Sequence, residues 1–383
     1  MRRAASRPPE ARGLSRDGVR LLVATPDGLA HARFADLPRF LVPGDLLVVN
    51  TSATVAAALP GQRGAGRPVT VHVSSLLEDG IWLIELREPD AARGRVTDAA
   101  PGQTVTLPGG TSLALLHPYP DPAATRMWAA AADGDVLAEA AQHGRPIRYS
   151  YVPEPWPLAA YQSVFARSPG SAEMPSAARP FTPELVTSLV AAGVLIAPVT
   201  LHAGVASLEA GEQPLPEWCT VPESTAQLAN LTLAAGRRVI AVGTTCTRAL
   251  ESAADPAITV PAGPAGPAGG PAGDRAGAGP AGGPAGDRAG AGPVRAFTGR
   301  TGLVLGAHRP ARVVSGLITG WHDAEASHLA LLAAVAGTAL VASAYQAAEQ
   351  AGYLWHEFGD SCLLLPPVSG PLTRRSGWPA ASA

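Results

Sequence analysis

The sequence predicts an α/β protein interrupted by a small all-β segment, and three observations carry that expectation. Strand-like runs alternate with amphipathic helical spacing after Tyr151. Between about Pro60 and Tyr151, short β-rich segments follow one another closely with Gly and Pro between them. Two further strand-like runs, VRLLVAT and DLLVVNT, precede that stretch. The α/β part is therefore expected to be discontinuous, residues 14–59 joined to 152–383, with 60–151 as an inserted domain.

Taken in order, residues 1–13 open an arginine cluster and are expected to form a solvated, disordered tail. No apolar run stands behind those arginines, so they do not read as a secretory signal. The inserted segment contributes VTVHVSSL, IWLIELRE, QTVTLPGG and TSLALLH, which suit a barrel or a sandwich. Thr182 is placed to cap a helix with Pro183 in its first turn, LVTSLV supplies the apolar spacing, and Gly193 ends it. The strand VLIAPVTLH follows. A second helix is expected from Glu223 to Ala235, stopped by Gly236; RRVIAVGTT then reads as a strand buried on both faces, and TRALESAA resumes helix.

From Pro261 to Pro293 the chain is almost only Pro, Ala and Gly, with PAGDRAGAG occurring at 271–279 and 284–292. Such a composition lacks the side chains that offset the entropy of ordering, so a loop within the α/β domain is expected rather than a repeat fold. Leu329–Ala344 is the longest apolar stretch; it falls short of the roughly 20 residues of a membrane span and reads as a buried core helix.

A length of 383 residues with 46% hydrophobic content allows a sizeable core and two or three domains. The formal net charge of -2 gives no global basic field for nucleic acid. The sequence contains no lysine, so all 29 basic residues are arginine, which excludes a lysine Schiff base and a phosphate-loop lysine. Cys219, Cys246 and Cys362 are far apart and without metal-type spacing, as expected of reduced packing residues in a cytosolic protein.

Polar chemistry crowds the stretch GLITGWHDAEASHLALLAAVAG at 316–337, where His322, Asp323, Glu325 and His328 precede or enter an apolar run. Ligands of open α/β sheets gather beyond the carboxyl ends of the strands, which places His202, Gly243, Thr244, Thr245 and Arg248 at one mouth. Gly-Thr-Thr reads equally as a helix cap. Asp323 and Glu325 suit a helix's first turn, where negative charge is favourable, and His328 reads as structural.

Seven stretches in order resemble the S-adenosylmethionine:tRNA ribosyltransferase-isomerases of queuosine biosynthesis: GDLLVVN (44–50), YQSVFARSPGS (161–171), GVLIAPVTLHAG (193–204), EWCTVP (217–222), RVIAVGTTCTRALES (238–252), GLITGWH (316–322) and FGDS (358–361). The resemblance implies a layered α/β/α domain interrupted by a small inserted β-barrel. It implies S-adenosylmethionine as co-substrate, tRNA as partner, no metal and no membrane. The implied reaction transfers the ribosyl part of the donor to the aminomethyl group of a 7-deazaguanine, releasing adenine and methionine. A base must remove a hydrogen from the ribose carbon beside the sulfonium, and an acid must protonate adenine.

Carried onto this chain, the resemblance makes His322 and His202 the candidate acid and base, since histidine titrates in the right range. Glu217 and Asp360 are candidates to orient an imidazole or bind the methionine ammonium, and Trp321 to face the sulfonium. Asn50, Gly170, Ser171, Gly243, Thr244, Thr245 and Arg248 are the candidate substrate-binding residues. Each has a bland alternative: a hydrogen-bonded core histidine, a capping carboxylate or a packed tryptophan.

The chain also departs from the family pattern. Asn50-Thr51-Ser52-Ala53 stands for Asn-Asp-Thr-Arg, Ala58 for a later arginine, and Ala178-Arg179-Pro180-Phe181-Thr182 for Gly-Leu-His-Phe-Thr. Pro214-Leu215-Pro216-Glu217 replaces Met-His-x-Glu, and Gly320-Trp321-His322-Asp323-Ala324 replaces Asn-Phe-His-Leu-Pro. Two arginines and two histidines of the pattern are thus absent. A paralogue acting on a small amine and a non-catalytic binding protein of the same fold stay open beside the tRNA enzyme.

Overall fold

A computed structural model of the chain describes all residues except 1–2, 78–79, 90–93, 125, 206–214, 259–292, 323–327 and 368–383. The Pro/Ala/Gly stretch at 261–293, apart from Pro293 itself, and the expected positions of Asp323 and Glu325 therefore lie outside the described residues.

A nine-stranded mixed sheet forms the main body. Its centre is four parallel neighbours, Leu195–Leu201, Leu46–Asn50, Val239–Val242 and Gly316–Thr319. The strands that surround them include Arg20–Thr25, Ser361–Leu364 and Glu217–Val221. Leu46–Asn50 and Val239–Val242 are rich in Val, Ile and Leu because both their faces are covered. Leu46 and Val48 enter one core with Leu250, Leu332 and Ala344, while Leu47 and Val49 enter the opposite core with Phe34, Leu185 and Leu189. Alternation along one strand thus feeds two helical layers.

Helix α1 (Val136–His143) belongs to the insert, and α2 (Pro183–Ala191) covers one face of the sheet. Thr182 caps α2, its hydroxyl accepting the Leu185 N–H at 3.1 Å. The other face carries α3 (Glu223–Ala234), α4 (Thr244–Ala253), α5 (His328–Ala336) and α6 (Thr338–Gln350). The single helix expected over Leu329–Ala344 is instead a pair bent by 119°. Gly337 stands between them at φ 81°, a left-handed conformation that costs a residue with a side chain about 1–2 kcal/mol. Among the described residues no single helix is long and apolar enough to cross a membrane.

Six strands close into a barrel, from Ala58–Arg63 through Met127–Ala132. Leu59, Val71, Ile84, Val105 and Leu113 pack in its core, as alternation over short strands requires. A barrel rather than a sandwich therefore answers the question the β segments left open.

The N-terminus corrects a second expectation, the disordered tail at 1–13. Arg3–Ala4 pairs in parallel with Leu354–Trp355, and Ala5 is buried. The arginines find acceptors there: Arg12 Nη2 donates to the Phe358 carbonyl at 2.7 Å, and Glu10 accepts from Arg179 at 2.9 Å and from Arg16 at 3.1 Å. A run of arginine looked like solvation, but guanidinium forks bind carboxylates and carbonyls equally well. Cys219, Cys246 and Cys362 are free and buried, and burial pushes the Cys219 and Cys246 thiols up to about 12.

Candidate functional site

The four parallel strands bring their carboxyl ends to one edge of the sheet. Leu46–Asn50 is the first of them in sequence and has its later partners on both sides, so the chain reverses its winding direction there. Such a point opens a crevice between the turns that leave the strands. A cavity of about 460 Å³ occupies that place. The sheet side supplies Gly243, Thr244, Thr245 and Arg248, then Thr319 to His322. His328 comes from α5, Glu217 from a neighbouring strand, and Ser74 and Ser75 from the barrel. Tyr149, Tyr151, His356 and Glu357 close the remaining side.

Gly243 ends its strand at φ 94° and its Cα faces Ala177, whose Cβ would lie 3.3 Å from a Cβ at this position. Glycine therefore permits both the turn and the approach. Helix α4 begins at Thr244, so the first-turn N–H groups have no carbonyl within the helix and lie at the cavity edge. Gly243 is the N-cap of α4, with no side-chain capping hydrogen bond, and the same turn borders the cavity.

Arg248 and Glu217 line the cavity, yet their polar atoms are committed to the protein. The Arg248 guanidinium contacts the Glu217 carboxylate and donates to the Thr301 carbonyl at 2.9 Å and the Leu303 carbonyl at 3.2 Å. Glu217 Oε1 also accepts the Gly204 N–H at 2.9 Å. The pair braces α4 against the strands around it.

Five sequence candidates are absent from the lining. Asn50 is fully buried, donating from Nδ2 to the Leu201 carbonyl at 2.8 Å and accepting the Leu201 and Ser52 N–H groups at 3.0 Å. Ser171 Oγ lies 2.6 Å from Ser52 Oγ and accepts the Ala203 N–H at 3.0 Å. His202 Nδ1 joins the same group, 2.8 Å from Ser52 Oγ, and burial lowers its pKa. A Cβ at Gly170 would fall 2.5 Å from that imidazole nitrogen, so glycine lets the ring lie flat on the backbone. Asp360 binds Arg20 at 2.8 Å and the Leu354 N–H at 2.8 Å. These residues hold strand ends together beside the cavity, because matching stretches mark buried latches as readily as contact residues.

Trp321 lines the cavity at 1% exposure, packed against Tyr345, Tyr353 and Trp355. Its buried Nε1–H has no hydrogen-bond partner among the described residues. His322 is fixed by a 3.1 Å hydrogen bond between Nε2 and Thr319 Oγ1, and its backbone N–H donates to Tyr345 Oη at 3.3 Å. Burial above all, then the neighbouring His328 and His356, hold its pKa well below 6.5. His322 is therefore neutral near pH 7 and able to take a proton.

His328, which the sequence alone reads as structural, is found at the cavity. It lines the cavity with its ring stacked on His322, centroids 4.4 Å apart and planes within 3°. Burial, then Arg248, lowers its pKa as well. Sequence reasoning also passed over Tyr149, Tyr151, His356 and Glu357. The Tyr151 ring stacks on His356 at 4.1 Å, and His356 holds φ 71°, the one described residue other than glycine with positive φ. A strained backbone at a cavity is a signal of function, but only the structure reveals it. Glu357 has its pKa raised by burial, against a hydrogen bond from Tyr151.

A mixed sheet wound both ways around its first parallel strand, joined to a closed barrel, with a cavity where the two meet, defines a two-part α/β enzyme-like architecture. Residues 1–364 match the family described as "Queuosine biosynthesis protein", and the chain belongs to that family. It is similar to the S-adenosylmethionine:tRNA ribosyltransferase-isomerase of Acidiphilium cryptum, 32% identical over 91% of this chain and 93% of that protein. The protein of the same name from Thermus thermophilus is 31% identical over 91% and 93%. A crystal structure of an S-adenosylmethionine tRNA ribosyltransferase from Thermotoga maritima is 24% identical, covering 94% of this chain and 96% of its own, with a TM-score of 0.46.

Proposed function

We propose that this chain is an S-adenosylmethionine:tRNA ribosyltransferase-isomerase. It moves the ribosyl part of the donor onto the aminomethyl group of 7-aminomethyl-7-deazaguanine in tRNA, forming epoxyqueuosine and releasing adenine and methionine. The observation that carries the reading is a neutral imidazole, His322, held at the edge of the cavity beside Trp321. Family membership supplies the substrates that such a cavity serves.

His322 acts as the base. Thr319 fixes its ring at Nε2, burial keeps it unprotonated, and it takes a hydrogen from the ribose carbon beside the sulfonium. Trp321 offers the sulfonium an indole face, a contact of about 0.5–2 kcal/mol. The free N–H groups at the start of α4 favour a negatively charged substrate group such as a carboxylate. His202 is not assigned to the acid step, because it lies behind the lining. A reaction on tRNA fits a cytoplasmic protein.

The test is release of labelled adenine and methionine in the presence of tRNA that carries 7-aminomethyl-7-deazaguanine at the wobble position. The same tRNA with guanine there should give none. Equal release, or none with either, would overturn the reading.

A further inference from the structure

The carboxylates around the cavity differ in one respect. Glu217 is matched by Arg248, Asp360 by Arg20 and Glu10 by Arg179. Deeper in the fold, Glu251 accepts the backbone N–H groups of Arg312, Val313 and Val314. Glu357 lines the cavity, and among the described residues no arginine is seen in a hydrogen bond or ion pair with it. Tyr151 donates to its carboxyl, but the buried Oε2 has no hydrogen-bond partner among the described residues.

A buried carboxylate oxygen without a donor is costly, and the cost is removed when a cation arrives. Its position is well fixed. The His356 N–H donates to the Trp321 carbonyl at 3.3 Å, tying Glu357's segment to the Trp321–His322 segment. The His356 ring, in its left-handed backbone, stacks on the tyrosine that holds Glu357. Strain kept at that point positions the carboxylate rather than packing a core.

We propose that Glu357 is an ammonium-binding residue of this cavity, seating the primary amine of a substrate. The inference rests on the cavity being the donor and acceptor site. Two sources carry that chemistry: the α-ammonium of S-adenosylmethionine and the aminomethyl group of the acceptor base.

Isothermal titration of the full chain separates them. The probes are S-adenosylmethionine against 5′-methylthioadenosine, which lacks the ammonium, and 7-aminomethyl-7-deazaguanine against its 7-cyano counterpart. Glu357→Gln keeps the shape and removes the charge. It should weaken one ammonium-bearing probe about ten- to hundredfold and leave its partner within about twofold. The probe affected identifies the amine. Glu357→Ser should show the same selective loss if the glutamine variant folds poorly, and Glu357→Asp should restore part of it. Unchanged affinity for both ammonium probes, equal weakening of the probes that lack the amine, or a parent that binds neither ammonium probe would overturn the proposal. The titrations need no turnover. A parent that releases no adenine yet loses ammonium affinity only in the variants would contradict the transfer reaction and leave Glu357's role standing.

Discussion

Lowering the pH from about 7.5 to about 5.5 should destabilise this chain more than a variant in which His322→Asn and His328→Leu remove the stacked imidazoles. Both rings have pKa values held below 6.5, chiefly by burial. A histidine depressed in the folded state binds its proton more readily in the unfolded chain. Above the unfolded-chain pKa, near 6.5, the group costs nothing, and stability is lost as pH falls from 6.5 towards the lower folded value. Each such group contributes a slope of at most about 1.4 kcal/mol per pH unit in that window. The partial exposure of both rings to the cavity reduces this, so a difference of about 1–2 kcal/mol between the two proteins is expected across the range. Urea unfolding of both proteins at several pH values measures it. His202 is common to both and cancels. Parallel stability profiles would refute the claim that the pair is buried neutral.

Other residues give separable outcomes. Asn50→Ala should lower stability by about 1–3 kcal/mol in urea, because the Leu201 N–H and carbonyl lose their partner, while the affinity for S-adenosylmethionine is kept. A stable variant that no longer binds the donor would return Asn50 to the substrate. Gly170→Ala should cost about 1–3 kcal/mol, because its Cβ must displace the His202 ring; an unchanged melting temperature would mean the ring moves freely. Replacing 261–293 with a short Gly/Ser linker should change stability by less than about 1 kcal/mol. The flanks already meet, since the Arg295 N–H donates to the Ala253 carbonyl at 3.1 Å, and a large drop in melting temperature would refute this.

Legibility followed the physics of each signal. The central strands announced themselves because strands buried on both faces must be continuous runs of Val, Ile and Leu, as Leu46–Asn50 and Val239–Val242 are. The rule that ligands collect at strand carboxyl ends named Gly243, Thr244, Thr245 and Arg248, and the family resemblance added Trp321 and His322; all six line the cavity. The same rule named His202, and the resemblance named Asn50; both sit one layer behind, because a strand end supplies buried latches as well as lining groups. Gly337 was readable as a break in the apolar run, and hydropathy masked it. His328, Tyr149, His356 and Glu357 arrive from connections distant in sequence, and no local period encodes their meeting. The arginine tail failed for a related reason: the Phe358 carbonyl that accepts from Arg12, and the Arg179 guanidinium that donates to Glu10, become neighbours of the tail only after folding.

If the cavity is the catalytic centre and His322 its base, adenine release must depend on that imidazole. The most direct measurement is the rate of adenine release by His322→Ala relative to the parent, at saturating S-adenosylmethionine and matched tRNA. Donor binding should persist on Trp321 and the Gly243–Thr245 turn, and the rate should fall by roughly 10²–10⁴, the usual loss for a general base. A variant that releases adenine as fast as the parent would contradict that role.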